Sequence, residues 1–299
     1  MRKSNYVSSL DFEVVKCPIH VEVNGRMVQD SSRVALVNDS DDTVISYMSP
    51  SYRLFTNEEF SRLTERIQDA FGLKLNHYAV HNNGAKVLSV FDKADKIYRI
   101  GDYTFDNHIV LYDSRDGSTK LSIGGSGVLH RCMNMFTSTK VQLSVNHSSK
   151  LDQMLWEFSE SLHKFEDEQR SYIEKINRLN DIRVYKDDLF ELISGWTALK
   201  PQEVKLVAQG RHHGQKSLEG LSTRKINIIN GISNAYDIEC FGGSANGMNI
   251  QGVGENGFGL LNTITHYYTH NRDKSVTDLF FGDFGTKEQQ TIKFAEQLA

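Results

Sequence analysis

The stretch Tyr78-Ala79-Val80-His81-Asn82-Asn83-Gly84-Ala85-Lys86-Val87-Leu88-Ser89-Val90-Phe91 decides the fold class. Two runs rich in β-branched and aromatic residues flank an Asn-Gly pair, which supplies the positive-φ positions that a type I′ hairpin turn requires. The pattern recurs downstream, where Asp116-Gly117 separates Ile109-Val110-Leu111-Tyr112 from Lys120-Leu121-Ser122-Ile123. A further strand is expected at 96–100. After a break at Gly124-Gly125-Ser126-Gly127, strands are expected at 128–133 and 141–145. From Leu151 the apolar period changes from 2 to 3.5. Leu151, Leu155, Phe158, Leu162, Phe165, Gln169, Tyr172, Ile176 and Leu179 alternate steps of four and three. A helix of that length spans about 45 Å, so it either covers its own sheet or meets a partner chain along this seam. The expected fold is α+β: an antiparallel β-hairpin sheet backed by a long amphipathic helix, followed by a mainly helical C-terminal part.

Working outward, residues 1–50 read as N-terminal strands, with 33–37 and 43–48 forming a hairpin across a polar turn. Pro50 and Ser51 break that pattern. Thr56 and Glu59 then form a capping box for a helix carrying Phe60, Leu63, Ile67, Ala70 and Phe71, which Gly72 closes. The sheet and long helix make a core over 51–185. Residues 186–299 form the C-terminal part, with helices expected at 187–196, 202–211, 260–270 and 287–299. The glycine- and asparagine-rich stretch 231–259 reads as a long loop.

Of the 299 residues, 39% are hydrophobic and 24% charged, ordinary values for a folded domain. The longest apolar runs fall far short of the roughly 20 residues that cross a bilayer, so no membrane association is expected. The basic N-terminus leads into Asp11 and Glu13 rather than an apolar stretch. Cys17, Cys132 and Cys240 are odd in number and have no C-x-x-C spacing, as suits a reducing cytoplasm. A net charge of −4 argues against coating duplex DNA by bulk charge. Its distribution is uneven. Residues 117–150 carry four basic residues and no acid, 200–236 carry six against Glu203 and Glu219, and 151–194 between them carry six against eleven acids.

The motifs with chemical meaning are few. His266 and His270 stand at i, i+4, the spacing of a metal-binding pair, but no Glu follows His266 and no third ligand is adjacent. Arg211-His212-His213 could grip phosphate. Phe241-Gly242-Gly243-Ser244-Ala245-Asn246-Gly247 has the glycines of a phosphate loop without its terminal Lys-Ser/Thr, and Ser126 lacks the spacing of a nucleophile elbow. Asp113 and Asp116 could pair as carboxylates, although a turn accounts for Asp116. Tyr98, Arg99, Tyr103, Phe105, Tyr112, Arg115 and Lys120 interleave rings and cations, as single-strand binding uses.

Two blocks carry a family resemblance. The first is Ile109-Val110-Leu111-Tyr112-Asp113-Ser114-Arg115-Asp116-Gly117-Ser118, with Val128-Leu129-His130-Arg131-Cys132-Met133-Asn134-Met135 and Asn146-His147 after it. The second is Gly259-Leu260-Leu261-Asn262-Thr263-Ile264-Thr265-His266-Tyr267-Tyr268-Thr269-His270, closing with Phe281-Gly282-Asp283-Phe284-Gly285. In this order they resemble the phage/plasmid-like family called domain of unknown function 932. Position 266, often acidic in that family, is His here. The resemblance implies a phage or mobile-element setting and no assigned activity. A hairpin sheet backed by a helix also resembles the core of phage single-strand annealing proteins, which assemble into rings or filaments. The expectation is therefore a non-catalytic, homo-oligomeric protein of the bacterial host cytoplasm, without cofactor or metal, that binds single-stranded DNA and promotes annealing and recombination. Arg99, Tyr112, Arg115, Lys120, Arg131, Lys140, Arg211, Arg224 and Lys225 are its expected contacts. The alternatives are a regulatory or counter-defence protein that binds a host protein through the long helix or the glycine-rich loop, and a metal-dependent enzyme using His266 and His270.

Overall fold

The computed structural model describes residues 5–7, 9–92, 98–101, 103–129, 135–147, 153, 156, 157, 167, 170–245, 247–271 and 283–299. Of these, 5–7, 98, 105–107, 126–129, 135–143, 245 and 248 are described as backbone alone. The chain forms two compact units, one of residues 1–96, 107–126 and 140–169, the other of 97–106, 127–139 and 170–299. The boundaries at 106/107, 126/127 and 139/140 fall within strands.

The first unit opens with a three-stranded antiparallel sheet, β2 (Val14–Val23), β3 (Arg26–Asn38) and β4 (Thr43–Met48), in that order. Its first turn is Asn24-Gly25, both at positive φ (51° and 74°), a two-residue type I′ connection. The β3–β4 hairpin follows the sequence expectation, with Val34 opposite Met48 and Asn38 opposite Thr43. Val14, Leu36 and Leu54 form the local core, with Phe12, Ile45, Met48 and Tyr52 packed against it.

Helix α1 (Asn57–Phe71) starts on the expected capping box: Thr56 Oγ1 accepts from Glu59 N at 3.2 Å, and Thr56 N donates to Glu59 Oε2 at 2.9 Å. It ends at Gly72, whose φ of 60° is left-handed. Phe60, Leu63, Thr64 and Ile67 form its buried face. That face meets the main sheet, where Thr64 Oγ1 and Ser89 Oγ share a 2.8 Å hydrogen bond.

The main sheet contains β1 (Asn5–Val7), β5 (Lys74–His81), β6 (Lys86–Asp92), β7 (Tyr98–Ile100), β8 (Tyr103–Ser114), β9 (Leu121–Leu129) and β10 (Met135–Val145). The order is β1-β5-β6-β8-β9-β10, with β7 also on β8, and the registered pairs β1–β5, β5–β6, β6–β8 and β7–β8 are antiparallel. Both faces of the centre are covered: Val87, Leu88, Ser89, Val90 and Phe91 of β6 are all buried, as are Ile109 to Ser114 of β8. The β5–β6 connection follows the sequence expectation: Asn83 and Gly84, both at positive φ (55° and 91°), are the central residues of a turn that Ala85 N closes on Asn82 O at 3.1 Å, and Arg115 N donates to Ala85 O beside it. One expectation is corrected here. The stretch 124–127 is not a break but part of β9, where Gly124 and Gly125, which carry no side chain, lie buried.

Every described residue between 153 and 178 is helical. In 170–178, here α2, the seam residues Tyr172 and Ile176 are buried, as is Leu179 just beyond; seam positions 151–169 lie outside the described residues.

The second unit adds α3 (Lys186–Thr197), α4 (Pro201–Ala208), α5 (Thr223–Phe241), α6 (Gly257–His266) and α7 (Phe284–Gln297). A short hairpin, β11 (Gly243–Ala245) with β12 (Met248–Ile250), lies between α5 and α6. The expected loop over 231–259 is therefore corrected: 231–241 complete α5, and α6 begins at Gly257. Gly231 is tolerated inside a helix because a Cβ there would stand 2.7 Å from the Tyr267 ring, so its absence permits close packing. All ten residues of α6 are buried, and a π-helical turn, Tyr267–Asn271, follows it. Among the described residues, no helix is long and apolar enough to cross a membrane.

Candidate functional site

Strand parity builds a buried polar cluster at the end of β8. Asp113 pairs with Val87 of β6 and shares the face that α1 covers; Arg115 follows two residues later, just past the strand. Asp113 Oδ1 lies 2.7 Å from His147 Nε2, and His147 Nδ1 lies 3.1 Å from Arg53 O. Both partners are acceptors, so the ring satisfies both only by donating from each nitrogen, as imidazolium. Burial opposes that charge, but the hydrogen bond and negative charge of Asp113 outweigh it and hold His147 above its ordinary value of 6.5. Tyr52 stacks on the ring at 5.2 Å and 13°. Burial first, and the charge of Asp113 next, push the Tyr52 phenol up.

Arg115 is wholly buried. Its Nη2 donates to Asn57 Oδ1, its Nη1 to Gly84 O at 3.4 Å, and its backbone N to Ala85 O at 2.8 Å. The Phe12 ring lies 6.0 Å from the guanidinium carbon, and Asn57 Nδ2 donates in turn to Phe12 O. The side chain thus ties the start of α1, the β5–β6 loop and the N-terminal segment together. Burial lowers its affinity for the proton, against the pull of Asp113 and Glu13. Asp113 Oδ2 and Arg115 Nε are buried without a partner among the described residues. The arrangement offers little for catalysis, since both nitrogens of His147 are committed and the pair is almost sealed from solvent, at 5% and 0% side-chain exposure.

These positions correct two expected nucleic-acid contacts. Arg115 and Tyr112 are buried, because both faces of the β6–β8 pair are covered, so neither reaches a phosphate or a base. Lys120 and Arg99 are exposed. Arg131 lies outside the described residues, as does the side chain of Lys140. In the second unit Arg211 and Arg224 are exposed, whereas Lys225 is half-buried and its Nζ donates to Thr197 O at 2.9 Å. Arg224 lines a cleft of about 550 Å³ with Asn227, Ile228, Gly231, Tyr267 and Asn271.

The segment between α4 and α5 bends at Gly210, Gly214 and Gly220, all at positive φ (70°, 79° and 80°), with open space where a Cβ would stand. It presents Arg211, His213 and Lys216 to solvent, and the rings of His212 and His213 lie 4.2 Å apart. The sequence marked this segment by Arg-His-His and by the basic excess over 200–236; its three glycines, each at positive φ, are the further signal that the backbone bends there.

His266 and His270 do come together, with ring centroids 4.9 Å apart, but His266 Nδ1 is 2.7 Å from Glu239 Oε1 in a pair almost wholly buried on both sides. No group of three metal-ligating side chains occurs among the described residues. The glycine loop at 242–247 follows a helix and enters a hairpin, the reverse of the strand-to-helix context that cradles phosphate. His147, Tyr52 and Arg53 are the cluster residues that spacing could not supply: His147 is 34 positions from Asp113 and meets it only through the fold.

No curated protein and no solved structure matches the chain. Residues 44–298, which hold the buried Asp113–His147 pair, the basic α4–α5 segment and the sealed helix α6, match one family, and the chain belongs to it: Domain of unknown function (DUF932).

Proposed function

We propose that this chain is a non-catalytic protein of a phage or mobile element that binds single-stranded DNA and promotes annealing, with the α4–α5 segment as its principal contact. The observation that carries the reading is the exposed cation set Lys200, Arg211, Lys216 and Arg224 around a glycine-bent loop; among the described residues no salt bridge holds these side chains, and Glu203 interacts with the charge of Lys200 at longer range. Lys205 and Lys225 are set apart by their own partners, Asp187 and Thr197 O. Glu203, one of the two acids of the segment, is turned to Lys200 N at 2.9 Å. Phosphates supply the missing counter-charge. Glycine at the bends lets a backbone approach closely, and the paired His rings and the amides of Asn227 and Asn271 beside Arg224 offer base-level contacts that need no fixed sequence. Lys120 and Arg99 are the additional cations of this reading.

Fluorescence polarisation with a labelled oligothymidylate at low salt tests it. The unmodified chain is expected to bind, and Arg211→Glu, Lys216→Glu and Arg224→Glu together to weaken binding by roughly tenfold or more, since each removes a phosphate contact and adds a repulsion. An unmodified chain that leaves the polarisation unchanged at low salt overturns the proposal. Binding without any acceleration of annealing between complementary strands overturns its second half.

A further inference from the structure

We infer that the outer half of the β2–β3 hairpin is a docking arm for a second copy of this chain. Between Pro18 and Ile19 the register shifts: Pro18 lies opposite Val34 and Ile19 opposite Asp30, so β3 residues 31–33 are left over and the hairpin continues beyond them as two strands alone. Every residue from 20 to 29 is exposed, on both faces, and among the described residues no side-chain hydrogen bond or ion pair reaches any of 19–29. A two-stranded hairpin without a covered face is marginal in water, so this arm gains its stability from something that covers it.

Its face names the occupant. Opposed residues of an antiparallel pair share a side, so Ile19, Val21, Val23 and Val28 lie together, with Arg26 opposite Val23 and Asp30 opposite Ile19. Val21, Val23 and Val28 are 50%, 49% and 49% exposed. Ala35 pairs with both Cys17 and Tyr47, and on the same side the exposed Tyr47 extends the apolar surface toward the sheet. Arg26 and Asp30 are four residues apart on one strand, about 13 Å, and do not pair with each other; Asp30 Oδ1 accepts from Ser32 N at 2.8 Å and from Ser32 Oγ at 2.6 Å, which holds the carboxylate ionised at the surface. They stand symmetrically about Val28. A second arm, turned face to face by a two-fold axis through the Val21–Val28 pair, sets each Arg26 against the partner's Asp30 and each Val23 against the partner's Ile19. Charge and apolar pattern are therefore self-complementary.

The free edge argues for this closed arrangement over strand-to-strand growth. Val23 and Arg26 flank a two-residue turn and so form a hydrogen-bonded pair; alternation along β2 then turns Pro18 outward, where it has no N–H to offer an added strand. The long helix is not needed for this contact, and the pairing stands or falls independently of DNA binding.

Sedimentation velocity on the full chain without DNA tests it. The unmodified protein is expected to show a concentration-dependent dimer by about 100 µM, a weak association in keeping with so small a face. Arg26→Asp alone and Asp30→Arg alone each place like charges in contact and are expected to be monomeric there. An equimolar mixture of the two variants restores both ion pairs and is expected to dimerise. Val21→Asp, exposed in the single chain, is expected to retain the circular dichroism of the unmodified protein while remaining monomeric. A monomeric unmodified chain at 100 µM overturns the inference. So does a dimer that Val21→Asp leaves intact, or a mixture of folded variants that stays monomeric.

Discussion

At the scale of single residues, parity along β8 decides which charges serve the fold and which serve the surface. A strand cation usually reaches water, so the sequence places Arg115 among phosphate contacts; the fold instead turns it inward with Asp113, beneath the start of α1. Composition cannot reveal this, since it depends on which face α1 covers. His147 illustrates the same point from the other side. The family resemblance includes it in Asn146-His147 without giving it a role, yet two acceptors fix it as imidazolium. Its folded value is raised, so the stability it contributes is fully present below its ordinary value near 6.5 and is lost as pH rises through the folded value. Urea unfolding between pH 5 and pH 9 is expected to show the unmodified chain weakening toward the alkaline side by on the order of 1 kcal/mol for each unit by which the imidazole is raised. His147→Gln is expected to be less stable at pH 5 and to lose that slope. An unchanged slope in the variant would assign the pH dependence to other groups.

At the scale of elements, local grammar was legible and packing-driven structure was not. Thr56, Glu59 and Gly72 bound α1 because caps are made by residues adjacent in the chain. The Asn24-Gly25 turn obeys the rule that singled out Asn83-Gly84, and both pairs stand at positive φ; what that rule could not give is Arg115, whose Nη1 reaches Gly84 O from 31 positions away. Helix α5 was hidden because Gly231 and its asparagines read as a loop; the Tyr267 ring against Gly231 supplies the compensation. Glycine in α6 has the same logic. Ala is the better helix former by about 1 kcal/mol, yet a Cβ on Gly259 would stand 2.5 Å from Gly254 O and 2.9 Å from Cys240 Sγ. Overpacking of about 1–3 kcal/mol then exceeds the gain in propensity, so Gly259→Ala is expected to lower the melting temperature. Gly195→Ala in α3 is the contrast: that residue is exposed, with nothing within 4 Å of the added carbon, and the substitution is expected to raise it. Equal shifts from the two variants would remove packing as the reason for Gly259.

At the scale of the whole molecule, the question is how a chain of net charge −4 could hold a polyanion. Bulk charge repels DNA, so long-range steering does not assist the encounter, and the proposed binding rests on cations that displace condensed counterions at short range. Among the described residues of the α4–α5 region those cations are Lys200, Arg211, Lys216 and Arg224. For single strands each neutralised phosphate contributes about −0.7 to the slope of log affinity against log salt, so four contacts set a slope of about −3. Polarisation titrations over a salt series are expected to give that value for the unmodified chain, and a slope of about −0.7 when Arg211, Lys216 and Arg224 are replaced. A slope much steeper than −3 would mean that cations elsewhere, Arg99 and Lys120 first, share the contact. A slope near zero in a chain that still binds would mean that stacking, not phosphate, holds the strand, and would move the site from the basic segment to the aromatic side chains.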